Sequence, residues 1–278
     1  MKKSLAIVLF ILFIIPVSQA QLQLGFKAGM GFNKFLGPLE ESESYSFANG
    51  IHFGITFNYH FTDIFSLRGE LLYAQNGTKS SFNGPSYYIF RIDGERYPAM
   101  DNIAIETDIT IAYISIPIMA SFKPLKKFEF YGGMYINFRI NSIGSGTFNF
   151  GDRFRHNMDM NYSSDEAGEY KSFPGSRLIE VTILDEKRFL LPILGAYTFI
   201  EEKDQNLFKK IDFGLTAGVS YFLNPGFYLG LRFEYGLNDI TNNNMDRSLT
   251  EVEEDGTLIF RNDSDNPFGY QVSLGFKF

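Results

Sequence analysis

A chain of 278 residues with 31 Phe, 16 Tyr and 26 Gly is too aromatic and too glycine-rich for a packed helical protein, and the bias favours strands. With no Cys, it has no disulfide framework, no thiolate metal site and no lipid attached to an N-terminal cysteine. The formal net charge of -7 argues against nucleic acid as a partner.

The first twenty residues, "MKKSLAIVLFILFIIPVSQA", combine Lys2 and Lys3, an apolar run from Leu5 to Ile15, and the small-residue site Ser18-Gln19-Ala20. They predict an exported chain, with a secretory signal peptide over 1-20 and one mature domain over 21-278. A membrane anchor is the weaker reading, because the run is too short to cross a bilayer. Removing Lys2 and Lys3 takes the net charge from -7 to -9.

Alternation begins at once. From Gln21 to Phe35, Leu22, Leu24, Phe26, Ala28, Met30 and Phe32 share one face, against Gln23, Lys27 and Asn33. Phe47 to Phe61 repeats the pattern, with Ile51, Phe53, Ile55, Phe57 and Tyr59 opposing His52, Thr56, Asn58 and His60. After a tight turn at Thr62-Asp63, Ile64 to Asn76 sets Phe65, Leu67, Leu71 and Tyr73 against Ser66, Arg68 and Glu70. Ile109 to Phe122 and Phe128 to Ile140 flank "KPLKK", with Ile114, Ile116, Ile118, Phe130, Met134 and Phe138 on one face and Ser115, Glu129, Tyr131, Asn137 and Arg139 on the other. Phe208 to Leu223 and Phe227 to Leu237 form a hairpin around Asn224-Pro225-Gly226, and its polar face carries Asp212, Thr216, Ser220, Arg232 and Glu234. The run "GYQVSLGFKF" supplies an eighth strand, with Tyr270, Val272, Leu274, Phe276 and Phe278 in one row.

A soluble sandwich also alternates, and three features argue against it. The apolar rows are long enough for the roughly 9 to 11 residues of a tilted membrane-crossing strand. Short turns alternate with long connections at 36-46, 78-108, 141-207 and 238-265. Aromatic residues crowd the short turns: Tyr59, Phe61, Phe65, Phe122, Phe128, Tyr221, Phe227, Phe276 and Phe278. An arginine on a lipid face would cost about 2 to 4 kcal/mol near the midplane, so the charged rows point inward. The strands must close, because an open edge in lipid leaves amides without partners. The expected fold is all-β: a closed antiparallel transmembrane β-barrel of eight strands in the bacterial outer membrane, with short periplasmic turns and long extracellular loops. Ten strands is the alternative, if "RLIEVTILDEKRFLLPILGAYTFIEEK" supplies two more around Asp185 to Arg188. Eight is preferred, because Ile179, Val181 and Ile183 make too short a row; a hairpin above the membrane suits them.

The interior of an eight-stranded barrel is just wide enough for side chains to fill. Lys27, Arg68, Glu70, Glu129, Arg139, Asp212, Arg232, Glu234 and Lys277 bring both signs to it, and the simplest expectation is a neutralising ion-pair network. A proton or solute path is the other reading. His52 and His60 lie eight residues apart, too far to share a metal. His156, near Asp152 and Asp159 in "GDRFRHNMDM", is the one candidate for chemistry at the outer rim, but its spacing matches no nucleophile or zinc pattern. Acidic residues crowd two loops: Glu40, Glu41 and Glu43 in the first, and Glu251, Glu253, Glu254, Asp255, Asp263 and Asp265 in the last. They read as solvated loops, or as groups joining lipopolysaccharide phosphates through divalent ions. No cofactor, metal site or catalytic residue is expected.

Glu70 to Tyr73 in "SLRGELLYAQNG", Tyr113 to Pro117 in "YISIPIMASFKP", and Asp212 to Gly218 and Arg232 to Leu237 in "KKIDFGLTAGVSYFLNPGFYLGLRFEYGLNDI" carry a resemblance. Together they resemble the PorT-type outer-membrane β-barrel family of the Bacteroidetes, over the mature chain except 141-207. The terminal aromatics Tyr270, Phe276 and Phe278 also resemble the signal read by the barrel insertion machinery. The resemblance implies a non-enzymatic outer-membrane protein in contact with lipid and lipopolysaccharide, acting in envelope or secretion-system assembly or at the surface through its loops. A small porin-like channel or transporter is the first alternative, and an outer-membrane hydrolase or acyltransferase the second. No catalytic residues come with the resemblance.

Overall fold

Strict period-two alternation puts one solvent on each face of a strand, and the structure resolves that pattern into a ring. The computed structural model describes residues 22-39, 42-92, 95-152, 154-168, 170-171, 179-183, 187-191, 193-198, 200, 202-245, 249-260 and 262-278. The expected signal peptide lies outside them.

The strands, in chain order, are β1 (Leu22–Leu36), β2 (Glu43–His60), β3 (Phe65–Ile92), β4 (Glu95–Leu125), β5 (Phe128–Phe150), β6 (Phe154–Asn161), β7 (Tyr170–Lys171), β8 (Ile179–Ile183), β9 (Lys187–Leu191), β10 (Ile193–Leu194), β11 (Ile211–Phe222), β12 (Phe227–Gly236), β13 (Leu249–Val252), β14 (Leu258–Phe260) and β15 (Asn266–Lys277). Eight of them follow one another as β11-β12-β15-β1-β2-β3-β4-β5, and β5 pairs back onto β11 to complete the ring. All eight pairings are antiparallel; Ala28, for example, sits opposite Leu274 on one side and Phe53 on the other. The stretch considered for a ninth and tenth strand forms the β8–β9 hairpin, which pairs only with itself among the described residues. β6, β10 and β7 continue the sheet beyond the end of β5 remote from the short turns.

Relative to a soluble protein, the lower half of the ring is inside out. Phe26, Ile118 and Met134 are more than half exposed (57%, 55% and 56%), whereas Arg68 and Glu70 are fully buried (0%). At the short-turn end the outward aromatics touch one another around the rim. Phe65 stacks on Phe122 at 4.9 Å, Phe128 meets Tyr221 at 5.2 Å, Tyr59 meets Phe61 at 5.2 Å, and Phe278 meets Phe26 at 5.5 Å.

The expected loops 78-108 and 141-207 need correction. β3 and β4 run on as one hairpin to Ile92 and Glu95, and β5 continues to Phe150 before turning into β6. In these extensions the polarity of the two faces is exchanged. On β4, Ile114 and Ile118 point outward below, but above them Thr110, Asp108 and Glu106 point outward while Ile111, Ile109 and Ile103 are buried. On β5 the exchange is made by a β-bulge: Ala112 pairs with Asn141 and Tyr113 with Arg139, so Ile140 is an extra residue. Beyond it Phe148 and Phe150 are buried and Ser145 is exposed, the reverse of Phe130 and Glu129 below. β2 carries a second irregularity, with one more residue than β3 between Phe47↔Thr78 and His52↔Ala74. Above it Ser44 and Ser46 face out, and Tyr45 packs against the core. A one-residue shift turns every later side chain to the other face.

The ring therefore has two interiors, one above the other. The upper one is an apolar core that includes Phe35, Phe82, Tyr113, Phe148, Met158 and Phe208. Leu194 of β10, and Tyr197 and Ile200 after it, belong to the same core. Tyr197 is fixed there: its hydroxyl donates to the Tyr162 carbonyl at 2.7 Å and accepts the Leu207 amide at 2.8 Å. Burial pushes that hydroxyl up to about 12.

Candidate functional site

The lower interior is charged. Polar residues at alternate positions of β1, β3, β5, β12 and β15 must face the axis, and in so narrow a ring opposite walls touch. Glu70 on β3 accepts from Arg232 on β12 at 2.7 Å, from Arg68 at 2.8 Å and from Lys27 at 3.3 Å. β3 and β12 stand four places apart in the ring of eight, which makes them opposite walls. Arg68 also donates to Glu129 at 3.2 Å, and Glu129 accepts from Lys277 at 2.7 Å. Arg232 lies 3.0 Å from Glu234. Seven charged side chains thus form one contiguous chain of ion pairs across the axis.

Neutral neighbours complete the shell. Arg68 donates to Tyr228 at 3.1 Å and to Ser220 at 3.3 Å, and its guanidinium lies 4.4 Å from the centre of the Tyr131 ring. Gln271 bridges Arg232 (2.7 Å) and Glu234 (2.9 Å). Toward the short turns, Lys277 and Lys123 approach the Phe222 ring at 5.2 and 3.8 Å, so basic and aromatic side chains fill that mouth. The bulk of this shell came from the polar rows, but Tyr228 carried no signal beyond its place opposite an outward Phe227.

Two of the nine charged residues stand apart. Asp212 takes a 2.8 Å hydrogen bond from Asn137 and a 3.4 Å one from Tyr135, and among the described residues it makes no ion pair. Arg139 sits at the bulge, where it donates to the Lys209 carbonyl (3.2 Å), Ser142 (3.1 Å) and Ser163 (2.8 Å) rather than to a carboxylate. At the bulge Arg139 turns toward the upper interior, which is why it does not meet the cluster below.

The histidines are separated. His52 is buried and hydrogen-bonds Ser273 at 2.9 Å, while His60 reaches Gln23 at 3.4 Å. His156 is not in a loop: it lies on β6, buried (4% exposed), opposite Phe148. Asp159, three residues on, faces the other way and is exposed, as is Asp152, so these groups do not converge. Among the described residues no group of three or more His, Asp or Glu side chains is placed to hold a metal. Of the acidic loop residues, Glu251, Glu253, Glu254 and Asp255 do not pack inward, but Asp265 is buried (2% exposed). Of the terminal aromatics, Phe276 and Phe278 belong to the rim described above, and Tyr270 stacks on Phe32 at 5.0 Å and meets Phe47 at 5.6 Å near the polarity exchange.

The family model described as an outer membrane protein beta-barrel domain matches residues 17–242. No curated protein sequence matches the chain. Among solved structures, Ail, the attachment invasion locus protein of Yersinia pestis, is 10% identical, with 93% of this chain and 99% of that one covered and a TM-score of 0.35. Neisserial surface protein A is 12% identical (92% and 97% covered, TM-score 0.34), and OprG from Pseudomonas aeruginosa is 13% identical (92% and 95% covered, TM-score 0.34). Likenesses at these scores carry no argument about what the chain does.

Proposed function

Because the chain belongs to the outer membrane protein β-barrel domain family, we propose that it is a closed, non-catalytic barrel of the outer membrane that acts through its outer cap. The partner class we propose is an envelope or secretion-assembly protein, on the strength of the PorT-type motifs at Glu70, Tyr113, Asp212 and Arg232. Membership of this family supports an apolar band facing lipid, and on this reading the acidic cap residues lie beside lipopolysaccharide. The observation that carries the reading is the 2.7 Å contact between Glu70 and Arg232 from opposite walls. Ions crossing the lumen would have to break it, and an apolar core lies directly above.

Purified protein in planar bilayers should give no resolvable single-channel conductance. Steady channels of the unmodified protein would return the diffusion-pore reading and end this one. Crosslinking in intact cells should then recover an envelope protein joined through the cap; crosslinks only to lipopolysaccharide would count against an assembly role.

A further inference from the structure

Within the apolar cap lies a cavity of about 50 Å³ that none of the readings above uses. Its walls include the rings of Phe35, Tyr45, Tyr162 and Phe208, which brace one another: Phe35 meets Tyr45 at 5.3 Å and Phe208 at 6.3 Å, and Tyr162 meets Phe208 edge-on at 5.0 Å. Two carboxyl groups, Glu43 and Asp265, line the same space, and no basic side chain does among the described residues. Asp265 is 2% exposed. Its Oδ2 accepts the Thr241 hydroxyl at 2.9 Å and the carboxyl also interacts with the Tyr45 hydroxyl, but its Oδ1 has no hydrogen-bond partner. A buried carboxylate oxygen without a partner is costly, and such a group is either neutralised or met by a cation.

We propose that this cavity is a binding site for a small alkylammonium ion, its charge on Asp265 Oδ1 and its alkyl part against the aromatic rings. Aromatic faces attract desolvated organic cations, and a carboxylate among them supplies the hydrogen-bond acceptor an ammonium needs. A divalent metal would want six or more oxygen ligands, and among the described residues no group of three or more His, Asp or Glu side chains is placed to hold one. A water molecule occupies about 10–15 Å³ of such space, so the guest has on the order of three or four heavy atoms. Burial, and then the neighbouring Asp263 and Glu43, hold the Asp265 carboxyl well above the usual carboxylate range. An incoming ammonium thus takes the place of a proton. The site stands whether or not the cap also engages a protein partner.

The test is saturation-transfer NMR on the full-length protein in deuterated detergent, with ethylammonium as the probe and ethanol as its neutral isostere. Ethylammonium should receive magnetisation from the protein, ethanol should not, and equimolar potassium chloride should not displace the probe. Asp265→Asn should weaken binding by about tenfold or more. Ala196→Leu, which fills the cavity and leaves the carboxyl in place, should abolish it. Equal transfer to ethanol would overturn the proposal, as would displacement by potassium. So would undiminished binding in either variant. The ethanol and potassium arms need only the unmodified protein, so they decide the matter even if a variant fails to fold.

Discussion

Lys27, Arg68 and Arg232 all lie within 3.3 Å of the Glu70 carboxylate. In Glu70→Ala, Arg68 keeps Glu129 and Arg232 keeps Glu234, but Lys27 loses the one carboxylate within its reach among the described residues. Breaking a buried pair in this way costs about 3–5 kcal/mol, so urea unfolding in micelles should shift by that amount. Exposed carboxylates such as Glu253 should be silent in the same assay. In the cap, two carboxyls respond to pH in opposite directions. Asp265 is raised, first by burial, so it binds its proton more tightly in the folded state; its contribution is full below the ordinary pKa of 3.8 and is lost as pH rises through the folded value. Asp239 is lowered: burial opposes this, but hydrogen bonds from Thr241, Lys209 and the Asp265 amide prevail, and its contribution is lost as pH falls below 3.8. Asp265→Asn should therefore slow hydrogen exchange of the Ile240 amide at pH 7 and change it much less at pH 4, because Asn mimics the protonated acid. The inward position of seven charged residues was legible from alternation. Their pairing was not, because partners such as Glu70 and Arg232 come from strands 162 residues apart in sequence.

At the scale of the strand, Ile140 has an effect out of proportion to its own contacts. It is outward and half exposed (53%), and only because a bulge absorbs it do Phe148 and Phe150 face inward, although they stand an even number of residues from the outward Phe130 and Met134. Deleting Ile140 should remove the bulge yet leave both rings inward, because Asn141 then follows Arg139 in the register already held by Ala112 and Tyr113. Limited proteolysis with mass analysis should then leave 141-207 as resistant as before; new cuts there would show that the cap needs the bulge itself and not only the register beyond it. The same device explains where sequence reasoning stopped. A scan for outward apolar rows follows each strand up to the exchange and loses it there, because the upper segments carry their apolar residues on the other face. Alternation persists in Arg155, His156, Asn157, Met158, Asp159 and Met160, and it would have marked β6 had inverted rows been sought. The cavity had no such signal, since its walls come from β1 through β4 and from connections around 162, 196, 208, 241 and 265.

For the molecule as a whole, the exchange of polarity divides the surface into two solvents. Leu231, midway along β12 and outward, should tolerate charge poorly: Leu231→Arg should cost about 2 to 4 kcal/mol in folding into lipid vesicles. Ser145→Arg, outward above the bulge, should cost little. Equal costs at the two positions would mean that the boundary is not where the hydrocarbon ends. The ring and its count of eight followed from residue patterns alone, whereas the tall hairpin of β3 and β4 did not, since it obeys the rules of water-soluble sheets. That junction has a mechanical corollary. Spanning segments meet a thicker or thinner bilayer by tilting, or the bilayer itself thickens or thins around them. Here the extra residues in β2 and β5 write the level of the exchange into the hydrogen-bond ladder itself, so a bilayer of another thickness should be met by stretching or thinning of the surrounding lipid rather than by a shift of that level.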